Sequence, residues 1–92
     1  MKTDRNTCYN CGRYLPEGEA ELHHIFFGGL RPISDKLGLV VYLCKECHRG
    51  TNGVHGKNGN KLNRKLKKIA QEEWEAEHSH EEWMKIVGRS YL

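Results

Sequence analysis

The sequence predicts an α+β fold, a short two-stranded ribbon with a helical extension behind it. Three observations carry this prediction. Two Cys-x-x-Cys pairs, Cys8-Tyr9-Asn10-Cys11 and Cys44-Lys45-Glu46-Cys47, bracket the part of the chain with strand-like runs. The run at 39–43, Leu-Val-Val-Tyr-Leu, is continuous, apolar and of buried-strand length, and it leads straight into the second pair. From Lys61 onward the apolar residues recur at helical spacing instead. Ninety-two residues leave room for one core, so residues 1–92 are expected to form a single domain, with a ribbon portion at 8–56 and a helical tail at 57–92.

A chain of this length buries only about 60–65% of its unfolded surface, so a covalent or metal staple is expected. The cysteines offer one. Residues 1–7 carry charge but no apolar signal-peptide core, and no run approaches the roughly 18–20 apolar residues of a membrane span. A cytoplasmic chain with reduced thiols is therefore expected, and there paired Cys-x-x-Cys motifs favour zinc over disulfides. A redox role for one pair would not explain two matching pairs. Cys8, Cys11, Cys44 and Cys47 are thus the expected ligands of one structural Zn2+, by four-thiolate tetrahedral logic.

In chain order, Cys8 to Gly12 reads as a zinc knuckle, and residues 14–18 as a loop punctuated by Pro16 and Gly18. Residues 19–27 read as the first strand, with Leu22, Ile25, Phe26 and Phe27 as its apolar content. His23 and His24 would point to opposite faces of a regular strand, so they serve one site only if the strand ends or bends there. Residues 28–38 read as a loop carrying Arg31 and Lys36, residues 39–43 as the second strand, and 44–47 as the second knuckle. Residues 49–60 are rich in Gly and Asn. Leu62, Leu66, Ile69, Ala70 and Trp74 then form one apolar stripe on a helix running from residue 61 to about residue 77. Ser79 and Glu82 have capping-box spacing for a second helix with Trp83, Ile86 and Val87 inward, Gly88 as its cap, and a tail docking through Tyr91 and Leu92.

Charge is unevenly placed. Residues 1–71 carry 13 Lys and Arg against 6 Asp and Glu, a net +7, whereas residues 72–92 carry 2 against 6, a net −4. On the long helix, Lys61, Arg64, Lys65, Lys67 and Lys68 crowd the N-terminal half and glutamates the C-terminal half, against the helix dipole. A solvated face accounts for such a pattern; contact with a polyanion's phosphates accounts for its sign and place.

Four of the six histidines, His23, His24, His48 and His55, fall within residues 22–55. Hydrolysis of a phosphodiester needs an activated water, stabilisation of charge on the phosphate and help for the leaving oxygen. A divalent cation with a neutral histidine as general base supplies all three.

The order Cys-x-x-Cys, His-His, Gly-Gly, a β-run and Leu-Cys-x-x-Cys-His resembles the HNH endonucleases of the ββα-metal (His-Me finger) fold, and in particular small phage-encoded members with a C-terminal helical tail. The motifs carrying the resemblance lie within residues 8–56. It implies a zinc-stapled ββα-metal core and a metal-dependent endonuclease or nickase acting on DNA. By position it implies His24 as general base, His23 and His48 as ligands of the catalytic ion, and the four cysteines as the structural zinc site. The family's central Asn has no counterpart, because no Asn occurs between Asn10 and Asn52. Ser34, Asp35 or a backbone carbonyl are the candidates to replace it.

His55 is read three ways: as a third imidazole ligand, as a contact to the scissile phosphate, or as an ordinary loop residue. An imidazole-rich site suits Zn2+, Ni2+, Mn2+ or Co2+ better than Mg2+, although phosphate oxygens and waters also admit Mg2+. Expected DNA contacts are Arg31, Lys57, Lys61, Arg64, Lys65 and Lys68. The rival expectation is a zinc-ribbon nucleic-acid-binding module without catalysis. No membrane partner is expected. So short a chain covers a short site, which leaves room for a homodimer or a partner protein, and a phage-encoded protein would work in the host cytoplasm.

Overall fold

The computed structural model describes residues 1–92. Its centre is an antiparallel ribbon of β1 (Glu21–His24) and β2 (Val40–Leu43), paired Glu21 to Leu43 and His24 to Val40. Alternation puts Glu21, His23, Val41 and Leu43 on one face and Leu22, His24, Val40 and Tyr42 on the other. The first face is the buried one: His23, Val41 and Leu43 are sealed, while Leu22 on the other is 45% exposed.

β1 is shorter than the strand expected over residues 19–27. Beyond His24 the ladder gives way to a side-chain clasp. Ile25 still donates its N–H to Leu39 O (3.0 Å), but the buried Ser34 hydroxyl accepts from Phe26 N (2.7 Å) and donates to Phe26 O (2.9 Å). Both polar groups of the Phe26 backbone are therefore satisfied without a strand partner.

The loop expected at 28–38 is mostly helical: a single 3-10 turn at Gly28–Leu30 leads into α1 (Arg31–Leu37). Pro32 and Gly38, within that expected loop, instead start and stop this helix. Pro32 lies in its first turn, where the missing N–H costs nothing, and Gly38 closes it in the left-handed region at φ 70°. Ile33 and Leu37, four apart, pack on the core.

Past β2, Cys44 caps α2 (Lys45–Arg49), its sulfur accepting from Cys47 N at 3.4 Å. The glycine-rich segment is a tight coil. Gly53, Gly56 and Gly59 each donate to the glycine three residues earlier, at 2.9, 2.8 and 3.1 Å. A Cβ at Gly56 would overlap Gly50 O, and one at Gly59 would overlap Gly53 O, so turn packs on turn backbone to backbone. His55 N donates to His48 O (3.0 Å), which ties this coil to α2.

α3 (Asn60–Glu75) and α4 (His80–Val87) complete the chain. Leu66 and Ala70 of the expected stripe are fully buried, with Leu62 and Trp74 packed around them. Ser79 and Glu82 form a reciprocal capping box, and Gly88 ends α4 at φ 83°. Trp83 is sealed against Phe26 and Trp74, and its indole N–H donates to Arg89 O (2.8 Å). The tail docks through Tyr91, whose N–H donates to the buried Gln71 Oε1 (2.6 Å); Leu92, expected to dock with it, is 62% exposed. No helix is long and apolar enough to cross a membrane.

Candidate metal centres and their surroundings

Two clusters of metal-ligating side chains flank the ribbon, and within each the candidate ligand atoms lie within 4.8 Å of one another. The first is Cys8, Cys11, Cys44 and Cys47. The N-terminal knuckle reaches β2 through the N–H of Tyr9, which donates to Tyr42 O at 2.9 Å, and Gly12 turns it at φ 77°. Burial alone would raise the Cys8 thiol, but N–H groups of Cys11, Cys44 and Asn10 outweigh it and bring it down to about 7. Burial pushes Cys47 the other way, up to about 12. Four sulfurs this close cannot all ionise without a cation among them, and a divalent ion that takes thiolate ligands fits the set. The cluster is compatible with a structural metal such as zinc.

The second cluster is His23, His48 and His55, from β1, α2 and the glycine coil. Their ring centroids are 5.2 Å (His23–His48), 5.2 Å (His23–His55) and 4.9 Å (His48–His55) apart. Both ring nitrogens of His23 are buried without a hydrogen-bond partner. Burial, followed by the neighbouring His48 and His55, lowers this imidazole to about 3, which keeps a lone pair free of competing protons. His55 is lowered in the same direction by burial and by His48. The orphaned His23 nitrogens, with one ligand atom each from His48 and His55 close by, make a group that could hold a metal ion.

Glu21 braces this cluster. Its Oε1 is 2.8 Å from His48 Nδ1 and also accepts from Arg49 Nε (2.9 Å), while Oε2 accepts from Arg49 Nη2 (2.6 Å). The Arg49 guanidinium, then His48, hold the Glu21 carboxyl below its usual range. A carboxylate accepting from Nδ1 orients the ring and leaves the Nε2 lone pair free, the usual arrangement around metal-ligating histidines. Sequence reasoning passed over Glu21, although strand alternation puts it on His23's face two residues earlier.

His24 does not join the three. Its Nε2 lies 2.9 Å from Asp35 Oδ1 on α1, with the His24 side chain largely buried and Asp35 exposed. Of the residues weighed for the position of the absent Asn, Ser34 clasps the loop after β1 and Asp35 contacts the His24 ring.

The basic residues singled out by sequence are exposed: Arg31 at the start of α1, Lys57 in the coil, and Lys61, Arg64, Lys65 and Lys68 on α3. None makes an ion pair. Lys61 and Lys65 line a cleft of about 300 Å3 with Asn10, Asn52, Asn58 and Leu62. Lys65 Nζ donates to Asn10 Oδ1 (3.1 Å), and Asn10 Nδ2 donates to Cys47 Sγ (3.4 Å), which links this basic face to the thiol cluster. Arg31 lies outside the cleft. His78 and His80 have local partners: His78 stacks on Trp74 at 4.1 Å, and His80 pairs with Glu75.

No model of a known protein family, no curated protein and no solved structure matches the chain.

Proposed function

We propose that this chain is a metal-dependent endonuclease or nickase of HNH type, with a ββα-metal core, that hydrolyses DNA phosphodiester bonds. The observation that carries this reading is the convergence of His23, His48 and His55 from β1, α2 and the glycine coil, with the carboxylate-held His24 next to His23 at the end of β1. A zinc-ribbon binding module would leave the buried, unpartnered His23 nitrogens without a purpose.

His23, His48 and His55 would hold a divalent ion such as Mn2+, Ni2+, Zn2+ or Mg2+. When bound, it supplies Lewis-acid charge to the phosphate and eases departure of the leaving oxygen. Asp35 fixes His24 with Nε2 as the donor, which leaves the Nδ1 lone pair to take the proton from the attacking water. Glu21 keeps the His48 ring from turning. Arg31, Lys57 and the exposed cations of α3 hold the DNA backbone in register, by phosphate contacts that carry no sequence information. Action in a host cytoplasm, and a second copy or partner protein to extend a short footprint, complete the proposal.

The test is nicking of supercoiled plasmid in Mg2+, Mn2+, Ni2+ and Zn2+ by the wild type and by His24→Ala. Nicking by the wild type and its loss in a folded His24→Ala protein are expected. Equal nicking by a clean preparation of the variant would remove the assignment.

A further inference from the structure

Lys67 is the one basic residue of α3's N-terminal half that is not exposed. Its ammonium lies 5.4 Å from the Phe26 ring centroid, 5.5 Å from Phe27 and 5.4 Å from Tyr91. Arg89 sits over the same Tyr91 ring at 5.3 Å. The four ion pairs of the chain all lie elsewhere, so two cations share one tyrosine with no carboxylate for either.

This arrangement is costly on its own terms. Burial, then the Arg89 charge, lowers the Lys67 ammonium below its ordinary range. Aromatic faces return only part of the lost hydration. The fold nevertheless fixes both cations. The tail carrying Arg89 and Tyr91 is pinned by Trp83 through Arg89 O and by Gln71 through Tyr91 N.

The site lies next to the imidazole cluster. Phe27 packs on one side against His55 (4.7 Å between centroids) and His23 (5.9 Å), and it is also one of the three rings beneath Lys67. The Lys67 charge is felt at His23 itself. A single aromatic ring therefore separates the unpaired ammonium from the imidazole cluster.

We infer that Lys67, with Arg89 beside it, is a phosphate-binding site for the strand being cut, gripping a backbone phosphate next to the one held at the three histidines. The inference rests on the nuclease reading and gives that site a second anchor point on the substrate. It also assigns the C-terminal tail a role, because the tail brings Arg89 and Tyr91 to the site. The anion would accept a charge-assisted hydrogen bond from Lys67 Nζ and relieve its repulsion with Arg89.

Plasmid nicking by wild type, Lys67→Met, Lys67→Arg and Arg89→Ala, with unfolding temperatures for all four, tests this. Methionine keeps the contacts with the three rings and removes a half-buried charge, so Lys67→Met should unfold at or above the wild-type temperature. Its nicking rate should nevertheless fall about 10–150-fold, the worth of one hydrogen bond to a charged group. Lys67→Arg should stay within about threefold, and Arg89→Ala, more exposed, should lose about 2–12-fold. Wild-type nicking rates in Lys67→Met, or a loss matched by a fallen unfolding temperature, overturn the inference and leave the nuclease reading intact. A wild type that nicks in no metal overturns both.

Discussion

The thiol cluster and the imidazole cluster are built from overlapping pieces of chain and are chemically opposite. α2 and its cap contribute to both: Cys44 and Cys47 belong to one cluster, His48 to the other. The thiol cluster offers four protein donors, the full complement of a tetrahedral ion, and ties the N-terminal knuckle to the ribbon. The imidazole cluster offers three, one of them on the exposed His55, which leaves coordination positions for water or substrate. One geometry suits holding a fold together, and the other suits chemistry.

The largest expected effect separates these roles. Cys44→Ser removes a ligand that is also the buried cap of α2, and it should unfold the domain at ordinary temperature, read as loss of near-ultraviolet dichroism. His23→Ala should stay folded and lose one bound metal equivalent. His24→Ala should lower nicking by about 100–10,000-fold with metal content unchanged, measured by plasmid relaxation beside elemental analysis.

How far the sequence foretold this difference depends on the residue. The cysteine spacing makes the thiol cluster legible, because two short turns can each present a pair of sulfurs wherever the chain brings them together. The α3 stripe and the Ser79–Glu82 box were legible for the same reason, being local patterns with one physical solution. His55 was not. Its place beside His48 depends on the backbone-on-backbone packing of Gly50, Gly53, Gly56 and Gly59, which in sequence looks like a linker. α1 was hidden because Pro32 and Gly38 suit a loop as well as helix ends. Glu21, and the rings that Lys67 packs against, were hidden because their partners are distant in sequence, so no spacing announces them.

Smaller effects sharpen the comparison. Glu21→Gln should weaken metal binding at the imidazole cluster by about 10–100-fold while leaving the thiol-bound ion in place, measured by competition with a metal indicator. Asp35→Ala should slow nicking by about 2–12-fold, the worth of a single exposed hydrogen bond, and Asp35→Asn, which keeps an acceptor oxygen, should recover most of it. Smallest for activity is Ser79→Ala, far along the chain from either cluster. It should cost about 1 kcal/mol, lower the unfolding temperature by about 4–8 °C, and leave nicking unchanged.

The central claim is that the imidazole cluster is the working metal site. Its most direct test is a titration of Mn2+ into protein that retains only its thiol-bound ion, with nicking followed at each addition. The account predicts a rate that rises from baseline and saturates at one added equivalent, and no rise at all in His23→Ala. Nicking that is already full before the titration, or that rises equally in His23→Ala, would contradict it.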